Sequence, residues 1–159
     1  MKPALKYLWL TIKHKWFVFA AGFKLKVPIW RLLKHDLSKF LPSELPHYGR
    51  YFFGKADDSI GFISCCIKHQ NRNDHHWEYY IPKTGYSRYT PPYLDNELIH
   101  MPDGAIKEMV ADWVGACRTH KGRWPTKDNW LWRDKNLENI MTRLHPDTKD
   151  KLLKMLTKI

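Results

Sequence analysis

Between Pro28 and Leu41 the apolar residues Ile29, Leu32, Leu33, Leu37 and Phe40 recur at i, i+3, i+4, i+8 and i+11, the spacing of one helical face, and Asp36 falls near the middle of that stripe. A carboxylate turned into a core is costly unless a positive group meets it. A buried Arg or Lys could meet it. A metal ion does so better where imidazoles are at hand. Any fold of this chain must therefore bring cationic or metal-ligating side chains to the inner face of a helix.

Helical spacing dominates the rest of the chain too. It predicts a first helix at about 4–23, a second at about 28–41 opened by Pro28, and a short one at about 43–53 capped by Ser43. Asp57 and Asp58 are expected to cap a helix running to about 71. From 79 to 100 the pattern breaks at Pro82, Gly85, Pro91 and Pro92, which reads as a long loop. Helix resumes at about 103–119. Two shorter helices follow the Trp-rich segment 124–132, the last beginning near Pro146 with Leu152, Leu153 and Leu156 at helical spacing. Little reads as strand. The 159 residues thus point to an all-α, compact, single-domain helical bundle over 1–159.

The formal net charge is +11 and unevenly placed, with nine Lys/Arg before Leu41 against one acid, Asp36. Positive potential of this kind attracts nucleotides, nucleic acid or an acidic membrane surface without choosing among them. Cys65, Cys66 and Cys117 form no CxxC pair, which suits core thiols in a reducing, cytoplasmic setting. The apolar run from Trp16 to Phe23 is too short to span a bilayer and follows Lys13, His14 and Lys15, so it is expected to be a buried helix rather than an export signal. A membrane-surface helix is the alternative.

There are nine histidines, and their positions on the helices matter more than their number. His14 shares a face with Leu10, Phe17, Val18 and Ala21. His35 adjoins Asp36, and His69 lies beyond Phe62, Cys65 and Cys66. Asp112 flanks the stripe of Ile106, Met109, Val110, Trp113 and Cys117. Inward His and Asp on several helices suit a divalent metal (Zn, Mn, Fe, Co or Mg) held between facing helices.

The order H…HD…H…HH…D, carried by His14, His35-Asp36, His69, His75-His76 and Asp112, resembles the HD-domain superfamily of metal-dependent phosphohydrolases. His35 to Lys39 is similar to the HDxxK form, and His75 to Glu78 resembles the HHE segment of the HD-GYP phosphodiesterase branch, although the GYP signature is absent. The segments His35 to Phe40, Asn73 to Glu78 and Glu108 to Trp113 are also similar to those of a family of small phage and bacterial proteins. The resemblance implies two metals bridged by Asp36. His14, His35 and Asp112 would complete one set, and His69 with His76 or His75 the other, activating a hydroxide against a nucleotide or other phosphoester. Lys39 would bind phosphate or assist the leaving oxygen. Lys83, Tyr86, Arg88 and Tyr89 would close a loop over the substrate, with Lys83 and Arg88 meeting phosphate. Glu108, at i−4 from Asp112, is either an orienter of a ligand imidazole or a solvated helix residue.

Two other readings stay open. Some HD-type proteins use such a ligand set to hold two irons and activate oxygen. A non-enzymatic nucleic-acid binder would use the basic N-terminal surface and exposed aromatics. His47, His100, His120 and His145 have no place in the series, and the Trp124, Trp130, Trp132 cluster reads as packing.

Overall fold

Helix α1 (Pro3–Lys24) is the element around which the others assemble. In the computed structural model, which describes residues 1–55, 58–82 and 98–159, it packs along α5 (Asp103–Lys121) and α3 (Leu45–Phe53). The remaining helices are α2 (Ile29–Lys34), α4 (Ser59–Arg72), α6 (Leu131–Met141) and α7 (Pro146–Leu156). Short 3-10 turns occupy Leu37–Phe40 and Trp77–Tyr80. Among the described residues there is no strand, so the chain is all-α as its periodicity predicts. The main core joins Val18 and Ala21 of α1 to Ile106, Met109 and Val110 of α5 and Leu152 of α7, with Trp130 buried beneath α6. A second cluster unites Tyr7, Tyr48 and Cys65, where the Tyr7 and Tyr48 rings stack at 5.0 Å.

The α1–α5 contact is close because Gly115 faces Val18. A Cβ at Gly115 would lie 2.8 Å from the Val18 nitrogen and 2.6 Å from its Cγ2. Backbone cannot retreat as a flexible side-chain tip can. Gly115→Ala is therefore expected to destabilise the fold by about 1–3 kcal/mol, although alanine is the better helix former by about 1 kcal/mol. Thermal unfolding followed by circular dichroism checks this; an unchanged or raised Tm would show that the two helices are free to part.

Several local expectations need correction. The helix expected over 28–41 stops at Lys34, and Asp36 adopts a left-handed φ of 57° before the 3-10 turn begins. Ile29, Leu33 and Leu37 of the expected inner stripe are exposed, and only Leu32 is fully buried. Asp36 is buried by the turn, not by the face of a helix. Ser43 does not cap α3, whose N-cap position is Glu44; the Ser43 hydroxyl instead accepts a hydrogen bond from Arg72. Asp58 stands at the N-cap of α4, but its carboxylate makes no capping bond and pairs with Arg50 (2.7 Å) and His47 (3.3 Å). Asp57 lies outside the described residues, as do Lys83, Tyr86, Arg88, Tyr89 and most of the loop expected at 79–100. The run Trp16–Phe23 is helical but only partly buried: Val18, Ala21 and Gly22 face inward, whereas Trp16 and Phe23 face out.

Candidate metal centre

His14 reaches the site from the buried face of α1, in line with Tyr7, Thr11, Val18 and Ala21. His35 and Asp36 come from the break after α2. Successive side chains on an unbroken helix diverge by about 100°, so this adjacent pair could not converge on one point. The left-handed turn at Asp36 removes that obstacle, and aspartate tolerates this conformation better than most residues. The Lys15 ammonium donates to the carbonyls of His35 and Leu33, holding the broken helix end. His69 projects from the last turn of α4, while His75 and His76 follow in the short link to the Trp77–Tyr80 turn. Asp112 and Glu108 lie one turn apart on α5.

These side chains meet around Asp36. Its Oδ1 lies 3.1 Å from Nε2 of His69 and 3.5 Å from Nε2 of His75. Its Oδ2 lies 3.5 Å from Nε2 of both His14 and His35. Asp112 Oδ1 stands 2.9 Å from Nε2 of His14 and 3.6 Å from that of His35. Two four-residue groups result, His14–His35–Asp36–Asp112 and Asp36–His69–His75–His76, each with its ligand atoms within 4.8 Å of one another and each able to hold a metal ion. Asp36 belongs to both. All seven residues that the sequence series named are brought together, and His75 and His76 both enter the second group.

The buried Nε2 atoms of His14, His35, His69, His75 and His76, and Oδ1 of Asp36, make no hydrogen bond of acceptable geometry despite these short approaches. Buried polar atoms are nearly always satisfied. Five imidazoles presenting Nε2 to a common centre is the arrangement that a divalent cation satisfies and protein donors do not.

An outer ring fixes which nitrogen points inward. Glu108 Oε1 accepts from Nδ1 of His35 (3.0 Å) and lies 3.3 Å from Nδ1 of His75, and its Oε2 accepts from Arg31 Nε at 2.6 Å. Arg31 in turn forks onto Asp74 at 2.7 and 3.0 Å. On the other side Glu44 Oε2 accepts from Nδ1 of His69 (3.0 Å) and its Oε1 from Arg72 (3.0 Å). A carboxylate on Nδ1–H leaves Nε2 with its lone pair free for a metal, the usual way a second layer orients ligand imidazoles. Glu108 is thus a buried orienter, not a solvated helix residue.

The charges act in the same sense. Burial alone lowers the pKa of His14, His35 and His75, but Asp36, Asp112 and Glu108 outweigh it and raise all three. Burial raises the carboxyls of Asp36 and Asp112, yet the surrounding imidazoles, with Lys39 beside Asp36, hold both well below the usual carboxylate range. Glu108, opposed in the same way by burial, is drawn down to about 2 by its hydrogen bonds from His35 and His75. The pocket favours positive charge. His76 is the exception: burial, with His75 and His69 beside it, pushes its pKa well down, so it stays neutral. Lys39 donates to Asp36 Oδ2 at 2.6 Å, and that ion pair overcomes burial and keeps it charged.

Two cavities open onto the centre. The larger, about 670 Å³, extends from His76 and Asp112 along Trp113 and Trp132, with Lys121 and Arg123 in its lining. The two indole rings are 5.1 Å apart and tilted. The smaller, about 210 Å³, reaches His14, Lys39 and Asp112 from the Tyr7 side. His120 lines both.

A family model described as a family of unknown function (DUF5662) matches residues 4–158. The chain belongs to that family. Comparison with curated proteins finds no match, and comparison with solved structures finds none either. The DUF5662 match spans every residue of the centre, from His14 to Asp112, together with both cavities. Within this member, sequence reasoning overlooked Glu44, Arg31, Asp74, Arg72 and Lys15, and set His120 aside. Arg31 and Glu108 are 77 residues apart, so no local pattern announces their pairing. Trp132, read as packing, is a cavity wall.

Proposed function

We propose that this protein is a metal-dependent phosphohydrolase of the HD-domain type, with two divalent cations shared through Asp36 and a nucleotide or comparable phosphoester as substrate. The observation that carries the reading is the division of Asp36: Oδ1 faces His69 and His75, Oδ2 faces His14 and His35, and the Nε2 atoms of all four are otherwise unsatisfied. His14, His35 and Asp112 would hold one cation, and His69, His75 and His76 the other. When bound, such a pair supplies an activated water nucleophile near neutral pH and neutralises charge on a phosphoryl group.

The chain's own residues do the rest. Glu108, braced by Arg31, holds His35 and His75, and Glu44, braced by Arg72, holds His69, so three of the imidazoles are oriented in advance and little reorganisation accompanies the reaction. Lys39, beside Asp36 and lining the smaller cavity, offers a fixed positive charge to a phosphate oxygen. Partial desolvation, with His14 and Lys39 nearby, lowers the pKa of His120, which is exposed where it lines both cavities, so its neutral imidazole can take or give a proton there. Trp113 and Trp132 give the larger cavity flat apolar walls suited to the organic part of a substrate, and Lys121 and Arg123 suit its charge.

Metal analysis of the purified protein, followed by a screen of phosphomonoesters and nucleotides with Mn, Co, Zn, Fe or Mg, tests this directly. Phosphate release that EDTA abolishes and added metal restores is expected. Absence of release with every metal would overturn the hydrolase assignment, and oxygen uptake by the iron-loaded protein in its place would move the same ligands to oxygen chemistry.

A further inference from the structure

Helix α1 carries a second apolar face that, among the described residues, stays exposed. Leu5, Trp9, Ile12, Trp16 and Phe23 follow one another at i, i+4, i+7, i+11 and i+18, which at 3.6 residues per turn confines them to a stripe about 60° wide. All five are exposed, Trp9 by 65%, Trp16 by 68% and Phe23 by 66%. The buried residues Tyr7, His14, Val18 and Ala21 lie on the opposite side. The stripe extends about 27 Å at 1.5 Å per residue, an unusually long run of apolar side chains to leave facing water.

Lys2, Lys6, Lys13 and Lys24 line one flank of the stripe; Lys15, on the other, is tied to the carbonyls of Leu33 and His35. No acidic residue precedes Asp36, and Asp36 is itself buried, so α1 contributes no negative charge to this surface. Among the described residues no helix is long and apolar enough to cross a membrane. A helix with bulky apolar and Trp side chains on one face and lysines along its edge is the pattern that lies in the plane of a bilayer.

We propose that α1 is a membrane-surface helix that docks this protein on anionic lipid, with Trp9, Trp16 and Phe23 entering the headgroup boundary and the flanking lysines meeting lipid phosphate. Charge decides against a second copy as the occupant: two such faces laid together would oppose lysine to lysine, whereas an anionic bilayer pairs with Lys2, Lys6, Lys13 and Lys24. His14 points the other way, so docking leaves the metal centre and its cavities open to substrate. The proposal is independent of the reaction assigned to that centre.

Sedimentation with vesicles of phosphatidylcholine alone or with a third of phosphatidylglycerol tests it. Binding is expected only to the anionic vesicles, weakened by added salt, with a blue shift of tryptophan emission. Trp9→Gln/Trp16→Gln should lower the affinity by about tenfold or more through lost apolar burial, and Lys6→Gln/Lys13→Gln by about tenfold or more through lost attraction to lipid. All four side chains are exposed and none belongs to the ligand set, so unchanged helicity and Tm confirm that each variant is folded. No binding to anionic vesicles, or binding that both variants retain in full, overturns the proposal. So does a dimer in solution that Trp9→Gln/Trp16→Gln dissolves while vesicles fail to bind.

Discussion

Asp36→Asn is expected to strip the protein of divalent metal at both positions at once. Loss of an outer orienting group typically weakens metal affinity by about 10–100-fold; removal of the one carboxylate common to both ligand groups should cost about a hundredfold or more. Asparagine keeps the shape of the side chain and tolerates the left-handed backbone that Asp36 requires. Its variant should therefore remain helical, whereas Asp36→Ala would confuse metal loss with backbone strain. Metal content per chain after gel filtration, set beside far-ultraviolet circular dichroism, reads both properties. His120→Ala, which removes an imidazole outside either ligand group, should retain its metal. Full metal content in Asp36→Asn would mean that the proposed bridge does not exist.

Metal removal should lower thermal stability by more than any single surface substitution. A ligand present at a hundred times its Kd stabilises the native state by about 2.7 kcal/mol, so two ions supply about 5 kcal/mol, and a domain of this size moves by about 2–4 °C per kcal/mol. A fall in Tm of about 10–20 °C on adding EDTA is the expected result, reversed by metal. The size of the fall should depend on pH with a defined sign. In the metal-free protein His14, His35 and His75 have raised pKa values, so protons compete with metal from above the ordinary histidine pKa downwards. Metal-linked stabilisation is full at higher pH and is lost as pH falls through the imidazole range. A Tm insensitive to EDTA at pH 8 would count against both ions.

Helices of strong, uninterrupted periodicity were legible from the residues. The span read as about 4–23 is Pro3–Lys24, and that read as about 103–119 is Asp103–Lys121. The span 28–41 was not, because periodicity cannot register a single left-handed residue. Ile29, Leu33 and Leu37 continue a helical pattern through a break, and the apolar face they outline ends in solvent. Asp36 was thus identified for the right chemical reason, a carboxylate that must be buried, with the wrong local geometry. A similar ambiguity hid the outer stripe of α1: a helix apolar on two opposite faces gives no indication of which one the protein covers.

What the amino-acid order settled here is the inventory: which imidazoles and carboxylates exist, in what sequence, and on which helices most of them ride. Residue type and spacing are local properties, and local properties suffice for those. The tertiary structure decided that Asp36 turns inward at a break, that Glu108 and Glu44 face Nδ1 nitrogens from distant helices, and that Trp113 and Trp132 wall a cavity beside Asp112. Each of these depends on contacts between segments tens of residues apart, whose distances are fixed only when the helices pack.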